Sequence, residues 1–178
     1  MTRYGMLIQH QEMRGLLRLP HGVQMINKLE PEEAFISYKE IEQGTYPSVY
    51  AETVPVQCMH CENAPCQQVC PTHATYTTDS GVVLVDEEKC IGCKYCMAAC
   101  PYGVRIQIEK TGVIEKCRLL LVRGRAGQPA ACVGTCISGA RVFGDLDDPD
   151  SDISREIART NAQPIAGDLT ESKIYYVR

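Results

Sequence analysis

The chain has 178 residues and a formal net charge of −4, which suits one domain or two small ones, and its acidic balance without a basic stripe argues against nucleic acid as the main partner. No run reaches the roughly 18 apolar residues of a membrane span, and the first residues carry no visible secretory signal. The content of 11 Cys, with no Trp and 2 Phe, predicts a framework built by metal or cross-links rather than by large apolar side chains.

The predicted elements are short strands, hairpins and helical turns. Residues 4–9 are predicted as a strand and residues 34–56 as a hairpin that turns at Gln43 and Gly44. Further hairpins are predicted at 75–86 and 105–116, around the turn sequences DSG and KTG. Short helical turns are predicted after Pro65, Lys94, Cys117 and Pro129. Ser151 or Asp152 is predicted to cap a helix that runs through Ala162, and residues 173–177 are predicted as a last strand.

The cysteines fall into three groups along the chain. The groups are Cys58, Cys61, Cys66 and Cys70; Cys90, Cys93, Cys96 and Cys100; and Cys117, Cys132 and Cys136. The second group has the C-x2-C-x2-C-x3-C-P spacing of the bacterial ferredoxin run, and the first has the same spacing with a two-residue insertion. A disulfide framework is disfavoured by the odd count and the missing secretory signal, and structural zinc by the tight spacing.

The ferredoxin spacing also assigns the ligands, because the fourth cysteine of each run binds the other cluster. We therefore expect one [4Fe–4S] cluster on Cys58, Cys61, Cys66 and Cys100, and a second on Cys90, Cys93, Cys96 and Cys70. These eight thiolates are the predicted iron ligands, and no catalytic residue is predicted. His60 lies inside the first loop, which is complete without it, so His60 is interpreted as a neighbour of the cluster and not as a ligand.

Two further copies of the pattern are degenerate. Cys90 and Cys117 each end a Glu-Lys-Cys sequence, but Leu120 stands where the third loop would need its second ligand. Near the start, residues 6–16 align with residues 83–93, and the cysteine positions are then occupied by Met13, Leu16, Leu19 and Val23. We favour a cluster loop whose thiolates were replaced by apolar side chains. The alternative is a buried helical turn that has this apolar spacing by chance.

This pattern predicts two clusters rather than four. Cys117, Cys132 and Cys136 are then expected to be buried thiols or to form a disulfide, and a rearranged third cluster with an outside ligand is the less favoured alternative. The predicted fold is α+β, with tandem bacterial-ferredoxin-like βαβ units and short hairpins and helical turns around the clusters. The predicted parts are a degenerate half with an inserted hairpin at 1–57, an intact two-cluster domain at 58–116, a second degenerate half at 117–146 that packs with the first, and a helix and tail at 147–178.

Several basic residues lie beside these loops. Lys89, Lys94 and Lys116 flank cluster loops and either raise reduction potentials through their charge or are plain surface lysines. Arg118, Arg123 and Arg125 form either a solvated helix face or a partner contact.

Seven segments together resemble a known family. They are RYGM at 3–6, GTYP at 44–47, CMHCENAPC at 58–66, GVVLVD at 81–86, CIGCKYCMAACPYG at 90–103, EKC at 115–117 and GARVFGDL at 139–146. They are similar to the four-cluster iron–sulfur subunits of dimethyl-sulfoxide-reductase-type molybdopterin oxidoreductases. The chain departs from that family at Met13, Leu16, Leu19, Val23 and Leu120, where the family places cysteines.

The resemblance implies an electron-transfer subunit that is not an enzyme on its own. It implies a large catalytic partner that carries molybdopterin with molybdenum or tungsten, and a membrane-anchor subunit as a further partner. The alternatives are a free ferredoxin-like carrier and a structural subunit with vestigial cluster loops. The cytoplasm is the expected compartment, and export in the folded state with a signal-bearing partner, or membrane association through a partner, is the alternative.

Overall fold

The computed structural model describes residues 2–12, 18–119 and 130–177. The strands are β1 (Tyr4–Ile8), β2 (Ile36–Thr45), β3 (Ser48–Gln57), β4 (Thr75–Thr77), β5 (Val83–Val85), β6 (Ile106–Gln107), β7 (Ile114–Glu115), β8 (Arg141–Asp145) and β9 (Ile174–Tyr176). The helices are a 3-10 turn (His10–Glu12), α1 (Arg18–Asn27), α2 (Pro65–Gln68), α3 (Tyr95–Ala98), α4 (Ala131–Gly134), α5 (Asp152–Thr160) and α6 (Gly167–Thr170). The architecture is a mixture of short helices and strands.

A three-stranded sheet joins distant parts of the chain. Its order is β8-β1-β9, with β1 antiparallel to β8 and parallel to β9. Tyr4 faces Asp145 across the first pairing, and Met6 faces Ile174 across the second. The apolar strand YGMLI is buried along most of its length, so the sheet is a core element with helix α5 packed on it. The predicted strands at 4–9 and 173–177 are confirmed.

The longest hairpin is β2–β3, in which ten residues pair with ten. Its inner end is buried at Ile36 and Val56, and its outer end is exposed. The sequence placed the turn at Gln43 and Gly44, which is wrong by about two residues. These two residues pair in the ladder with Tyr50 and Val49, and the chain reverses at Tyr46 and Pro47.

The two smaller predicted hairpins are confirmed as β4–β5 and β6–β7. The helical turns predicted after Pro65, Lys94 and Pro129 correspond to α2, α3 and α4. The turn predicted after Cys117 runs into residues outside the described ranges. Because each of these elements is four residues long or shorter, none can be stable on its own, and their positions depend on what they enclose.

Helix α1 occupies part of the degenerate N-terminal copy. Leu19 lies in this helix. Val23, which is 7% exposed, is buried in the main apolar core. Met13 and Leu16 lie outside the described residues, as does Leu120. The ten-residue helix is longer than the helical turns of the cysteine loops, so this part of the chain departs from a cluster loop in shape as well as in ligands.

The C-terminal helix begins as predicted. The hydroxyl of Ser151 accepts a hydrogen bond from the backbone N–H of Ser154 and caps α5. The helix ends at Thr160, two residues before the predicted end, because Asn161 adopts a left-handed conformation. Within the described ranges, the longest and most apolar helix falls short of what a bilayer crossing requires.

Candidate iron–sulfur sites

The first candidate site is a cavity whose wall carries four thiols. They belong to Cys58, Cys61, Cys66 and Cys100, and the cavity has a volume of about 340 Å³. Pro65 opens helix α2 just before Cys66, at a position where its missing N–H costs no hydrogen bond. The loop and this helical turn bring three cysteines to one side, and Cys100 reaches the same cavity from the second loop.

The second candidate site is a cavity of about 310 Å³ lined by Cys70, Cys90, Cys93 and Cys96. Gly92, between two of these cysteines, has a φ of +67°, and a Cβ there would lie 2.7 Å from the carbonyl oxygen of Gly112. Glycine is therefore required for the tight loop. Lys94 adopts a left-handed conformation at the start of α3, which carries Cys96 inward.

The structure thus brings together the same two sets of four cysteines that the sequence groups by their crossover. Four thiols around one cavity form a soft donor set that suits iron–sulfur clusters. Among the described residues, no three His, Cys, Asp or Glu side chains lie close enough together to hold a single metal ion. A four-iron cluster, in contrast, fills the space between thiolates that stand further apart.

The two cavities differ in their exposure. Cys58 and Cys61 are buried, whereas Cys93 is exposed and Cys70 and Cys90 are partly exposed. The side chains of Ile91 and Tyr95, next to the second cavity, are 67% and 63% exposed. The second cavity therefore has the more exposed ligands, although Cys66 and Cys100 of the first cavity are partly exposed as well.

The thiols also differ in acidity. Burial raises the pKa of Cys61 to about 11, and its neighbouring thiols add to the effect. Burial likewise raises the pKa values of Cys66 and Cys96 above the ordinary thiol value. At Cys70, burial acts in the same direction, but hydrogen bonds from Thr75, Thr72 and Ala74 outweigh it and lower the pKa. Iron must therefore displace protons from the buried thiols, which couples cluster binding to proton release.

Arg105 is a site residue that the sequence interpretation did not identify. It is buried, and it lines both cavities. The signal that was available is its place in the repeat, because Arg105 and Arg141 each stand five residues after the last cysteine of a loop. Of these two buried arginines, Arg105 is the one that lies at the thiol cavities.

The remaining three cysteines do not gather in either cavity. Cys117 and Cys132 are buried and Cys136 is partly exposed, and all 11 cysteines, which lie within the described ranges, are free thiols. The disulfide alternative for these three is therefore not seen. Burial, reinforced by the nearby Cys132 and Cys58, raises the pKa of Cys117 above its ordinary value, so it is a protonated, apolar core residue at neutral pH.

His60 is fully buried, and its Nδ1 atom accepts a hydrogen bond of 3.2 Å from the backbone N–H of Val83. Burial, followed by the charges of Lys116, Lys173 and Arg105, holds the pKa of His60 well below its usual range. His60 lines neither thiol cavity, which favours its interpretation as a neighbour rather than a ligand.

The lysines beside the loops separate into two kinds. Lys89 is exposed and pairs with Asp86 at 2.8 Å, and Lys94 is exposed as well. Lys116 is 1% exposed and donates to the carbonyl oxygens of Val83 and Cys117. The surface alternative is therefore wrong for Lys116, whose charge lies inside the protein. Arg118 pairs with Glu115 and Glu87, whereas Arg123 and Arg125 lie outside the described residues.

Comparison with known proteins gives one consistent picture. Residues 49–146 match the family described as 4Fe-4S dicluster domain. The chain is 45% identical over 127 residues to a sulfite dehydrogenase subunit of Allochromatium vinosum, covering 67% of this chain and 53% of that protein. It is 46% identical over 119 residues to the thiosulfate reductase electron transfer subunit PhsB of Salmonella typhi, covering 66% of this chain and 61% of that protein.

A third relative is protein NrfC of Escherichia coli strain K12, which is 37% identical over 157 residues that cover 86% of this chain and 70% of that protein. The chain thus spans between about half and 70% of the length of these relatives. The family match at residues 49–146 includes both candidate sites.

Proposed function

Because the chain belongs to the 4Fe-4S dicluster domain family, we propose that it is an electron-transfer subunit that carries two [4Fe–4S] clusters and performs no substrate chemistry of its own. The observation that carries this proposal is the gathering of eight thiols around two neighbouring cavities. When bound, such clusters each accept and release one electron, and the protein sets their potential, spacing and access.

The ligand sets in this proposal follow the cavity walls. Cys58, Cys61, Cys66 and Cys100 would hold the inner cluster, and Cys70, Cys90, Cys93 and Cys96 would hold the outer one. Cys66 and Cys96, one from each set, are close enough for their charges to interact. The two sets therefore adjoin, as electron transfer between them requires.

The difference in exposure between the two sites bears on where electrons enter or leave the protein. The outer site has an exposed ligand, Cys93, flanked by the exposed apolar side chains of Ile91 and Tyr95. At the inner site, Cys58 and Cys61 are buried in the apolar core. We infer that electrons pass between the protein and a partner through the outer site, since electron transfer requires close approach of two redox centres.

The proposed main partner is a large molybdopterin catalytic subunit with molybdenum or tungsten. The support is the set of relatives, which includes a tetrathionate reductase subunit of Salmonella typhimurium and a selenate reductase subunit of Mesobacillus selenatarsenatis. A membrane-anchor subunit is the second proposed partner. Purification of the native complex, followed by mass analysis of its intact subunits, tests both partners.

The tandem ferredoxin-like arrangement is also a proposal. In it, residues 58–116 form the two-cluster unit, and residues 1–57 pack with 117–146 as its degenerate counterpart. The pairing of β1 with β8 and the packing of α1 against α4 support this arrangement, since each contact joins the two degenerate parts. Residues 147–178 then add a helix and a strand to the shared sheet.

The cluster count is tested by purifying the protein without oxygen. We expect about eight iron atoms per chain, which corresponds to two [4Fe–4S] clusters. Material with about sixteen iron atoms would contradict the loss of clusters from the two degenerate copies, and material without iron would contradict the function itself. About twelve iron atoms would indicate the rearranged third cluster.

Two other functions make different predictions. A free carrier would be monomeric and would not co-purify with a large redox subunit. A structural subunit with vestigial loops would support partner turnover after Cys90→Ser. Under the proposed function, this variant assembles with its partner but loses turnover.

A further inference from the structure

Arg105 stands between the two candidate sites. Its side chain lines both cavities, although only 4% of the residue is exposed. Its guanidinium interacts electrostatically with Cys66, of the inner set, and with Cys96, of the outer set. One buried positive charge therefore interacts with at least one thiol of each set.

The polar contacts of Arg105 are incomplete. Its Nη1 atom donates to the hydroxyl oxygen of Thr75 at 3.3 Å. Its Nη2 atom is buried and has no hydrogen-bond partner in the described part of the chain. A guanidinium has five N–H donors, and leaving them unpaired in the interior is costly. Because Arg105 lines both cavities, the sulfur atoms of clusters bound there would be available to it as acceptors.

We propose that Arg105 is a positioning residue shared by both clusters, donating to the sulfur atoms of each and raising both reduction potentials. This inference rests on the proposed two-cluster function. Reduction adds a negative charge to a cluster, so a nearby cation stabilises the reduced form. Because the interior has a low effective dielectric constant, the same charge also weakens the repulsion between two adjacent negative clusters.

Arg141 shows what the same repeat position does without such a site. It is 2% exposed, and its Nη1 donates to the side-chain oxygen of Gln57 at 2.6 Å. It lines neither thiol cavity. The Nε and Nη2 atoms of Arg141 are also buried without a hydrogen-bond partner among the described residues, so unpaired nitrogens alone do not indicate a cluster. Arg105 differs from Arg141 in its place at both thiol cavities. The position of Arg105 relative to both cavities is therefore specific to the cluster-binding part of the chain.

The test compares four forms of the holoprotein prepared without oxygen: the unchanged chain, Arg105→Met, Arg105→Lys and Arg155→Met. Arg155 is exposed and pairs with Asp152 on α5, so its variant controls for the loss of one positive charge. Iron content is measured first, and the reduction of each cluster is then followed by electron paramagnetic resonance during a redox titration.

We expect Arg105→Met to lower the reduced-to-oxidised ratio of both clusters about tenfold at a fixed potential, which is about 59 mV for a one-electron couple. Arg105→Lys keeps a charge and should lie between Arg105→Met and the unchanged protein, and Arg155→Met should match the unchanged protein within about twofold. A shift in one cluster alone, or in neither, would overturn the shared role.

If Arg105→Met does not retain iron, its cluster potentials cannot be titrated, and Arg105→Lys then decides the test. Restoration of the full iron content by lysine, with the reduced-to-oxidised ratio of both clusters within about tenfold of the unchanged protein, supports a role for the charge. Failure of lysine to restore iron would show that the guanidinium is needed only for packing and would overturn the proposal. An unchanged protein without two clusters would instead overturn the proposed function, so the two failures are distinct.

Discussion

The thiol-rich segment (residues 58–116) and the outer segments (residues 2–57 and 117–146), which we propose to share one repeat, differ in their elements. In the thiol-rich segment, strands of two or three residues and helices of four surround two cavities. The outer segments have strands of five and ten residues and a ten-residue helix. They contribute Met6, Ile8 and Val23 to an apolar core that continues into the thiol-rich segment at Cys58 and Val83.

The difference indicates how apolar side chains can take the place of metal ligands in holding a segment together. Val23 occupies a position where the repeat predicts a ligand, and it is buried with other apolar residues. An apolar side chain contributes to stability by leaving water, whereas a thiolate contributes by binding iron. We therefore expect the outer segments to fold without a cluster and the thiol-rich segment, with its short elements, to depend on its clusters.

Iron removal should produce the largest difference between the two parts. After chelation without oxygen, we expect backbone amides in β4–β7 to lose protection from hydrogen exchange, because two- and three-residue strands are unstable alone. Amides of β1 and β8 should stay protected, because their sheet rests on apolar burial. Equal loss of protection in both parts would contradict this division.

Removal of a single thiol should lower the iron content only when that thiol belongs to the thiol-rich segment. Cys96→Ser removes a proposed ligand of the outer cluster, and we expect iron to fall from about eight to about four atoms per chain. Cys132→Ser is the matched control, since Cys132 is similarly buried but lies outside both cavities. A comparable loss of iron from this control would show that Cys132, which lies outside residues 58–116, also binds iron.

Shortening a buried side chain of the outer segments should lower stability without lowering the iron content. Ile8→Ala deletes a fully buried side chain in the sheet, and we expect the free energy of unfolding to fall by about 2–5 kcal/mol. The measurement is urea unfolding without oxygen, followed by far-ultraviolet circular dichroism, together with the iron content. Because Ile8 lies in β1, the iron content should be unchanged at low denaturant concentration, and its loss in the folded variant would contradict the prediction.

The smallest expected effect is on the free energy of unfolding at alkaline pH. Burial raises the pKa of Tyr176 well above its ordinary value, and its hydroxyl donates to the carbonyl oxygen of Pro55 at 2.9 Å. Above about pH 10 the unfolded chain releases this proton and the folded chain keeps it, so stability falls as pH rises. One such group accounts for a slope of at most about 1.4 kcal/mol per pH unit.

Tyr176→Phe should therefore make the decline in unfolding free energy between about pH 10 and 11.5 less steep, although the variant is less stable near neutral pH because Pro55 loses its donor. Unfolding by urea at several pH values measures both effects. An unchanged slope would show that another group governs alkaline stability.

The spacing of the cysteines and the turn sequences predicted most of the thiol-rich segment. The hairpins at β4–β5 and β6–β7 and the helical turns after Pro65 and Lys94 follow from local signals such as DSG, KTG and the proline at the start of α2. The gathering of Cys70 with the second group and of Cys100 with the first follows from the crossover that is typical of ferredoxin runs.

Features that depend on distant contacts were missed. Arg105 and Lys116 look like ordinary basic residues in the sequence, and only the packing of separate loops buries them. The turn of β2–β3 was misplaced because Gln43 and Gly44 resemble turn residues, whereas the pairing of Thr45 with Ser48 sets the register. The parallel pairing of β1 with β9 joins residues far apart and has no local signal.

The pairing of Tyr4 with Asp145 bears on the order of events during synthesis. A ribosome that adds about 5–20 residues per second needs roughly ten seconds to reach the complementary strand after making β1. The thiol-rich segment emerges within that interval, before the sheet can close. Proteins that insert clusters into the nascent chain would thus reach the cysteine loops before β1 has paired with β8.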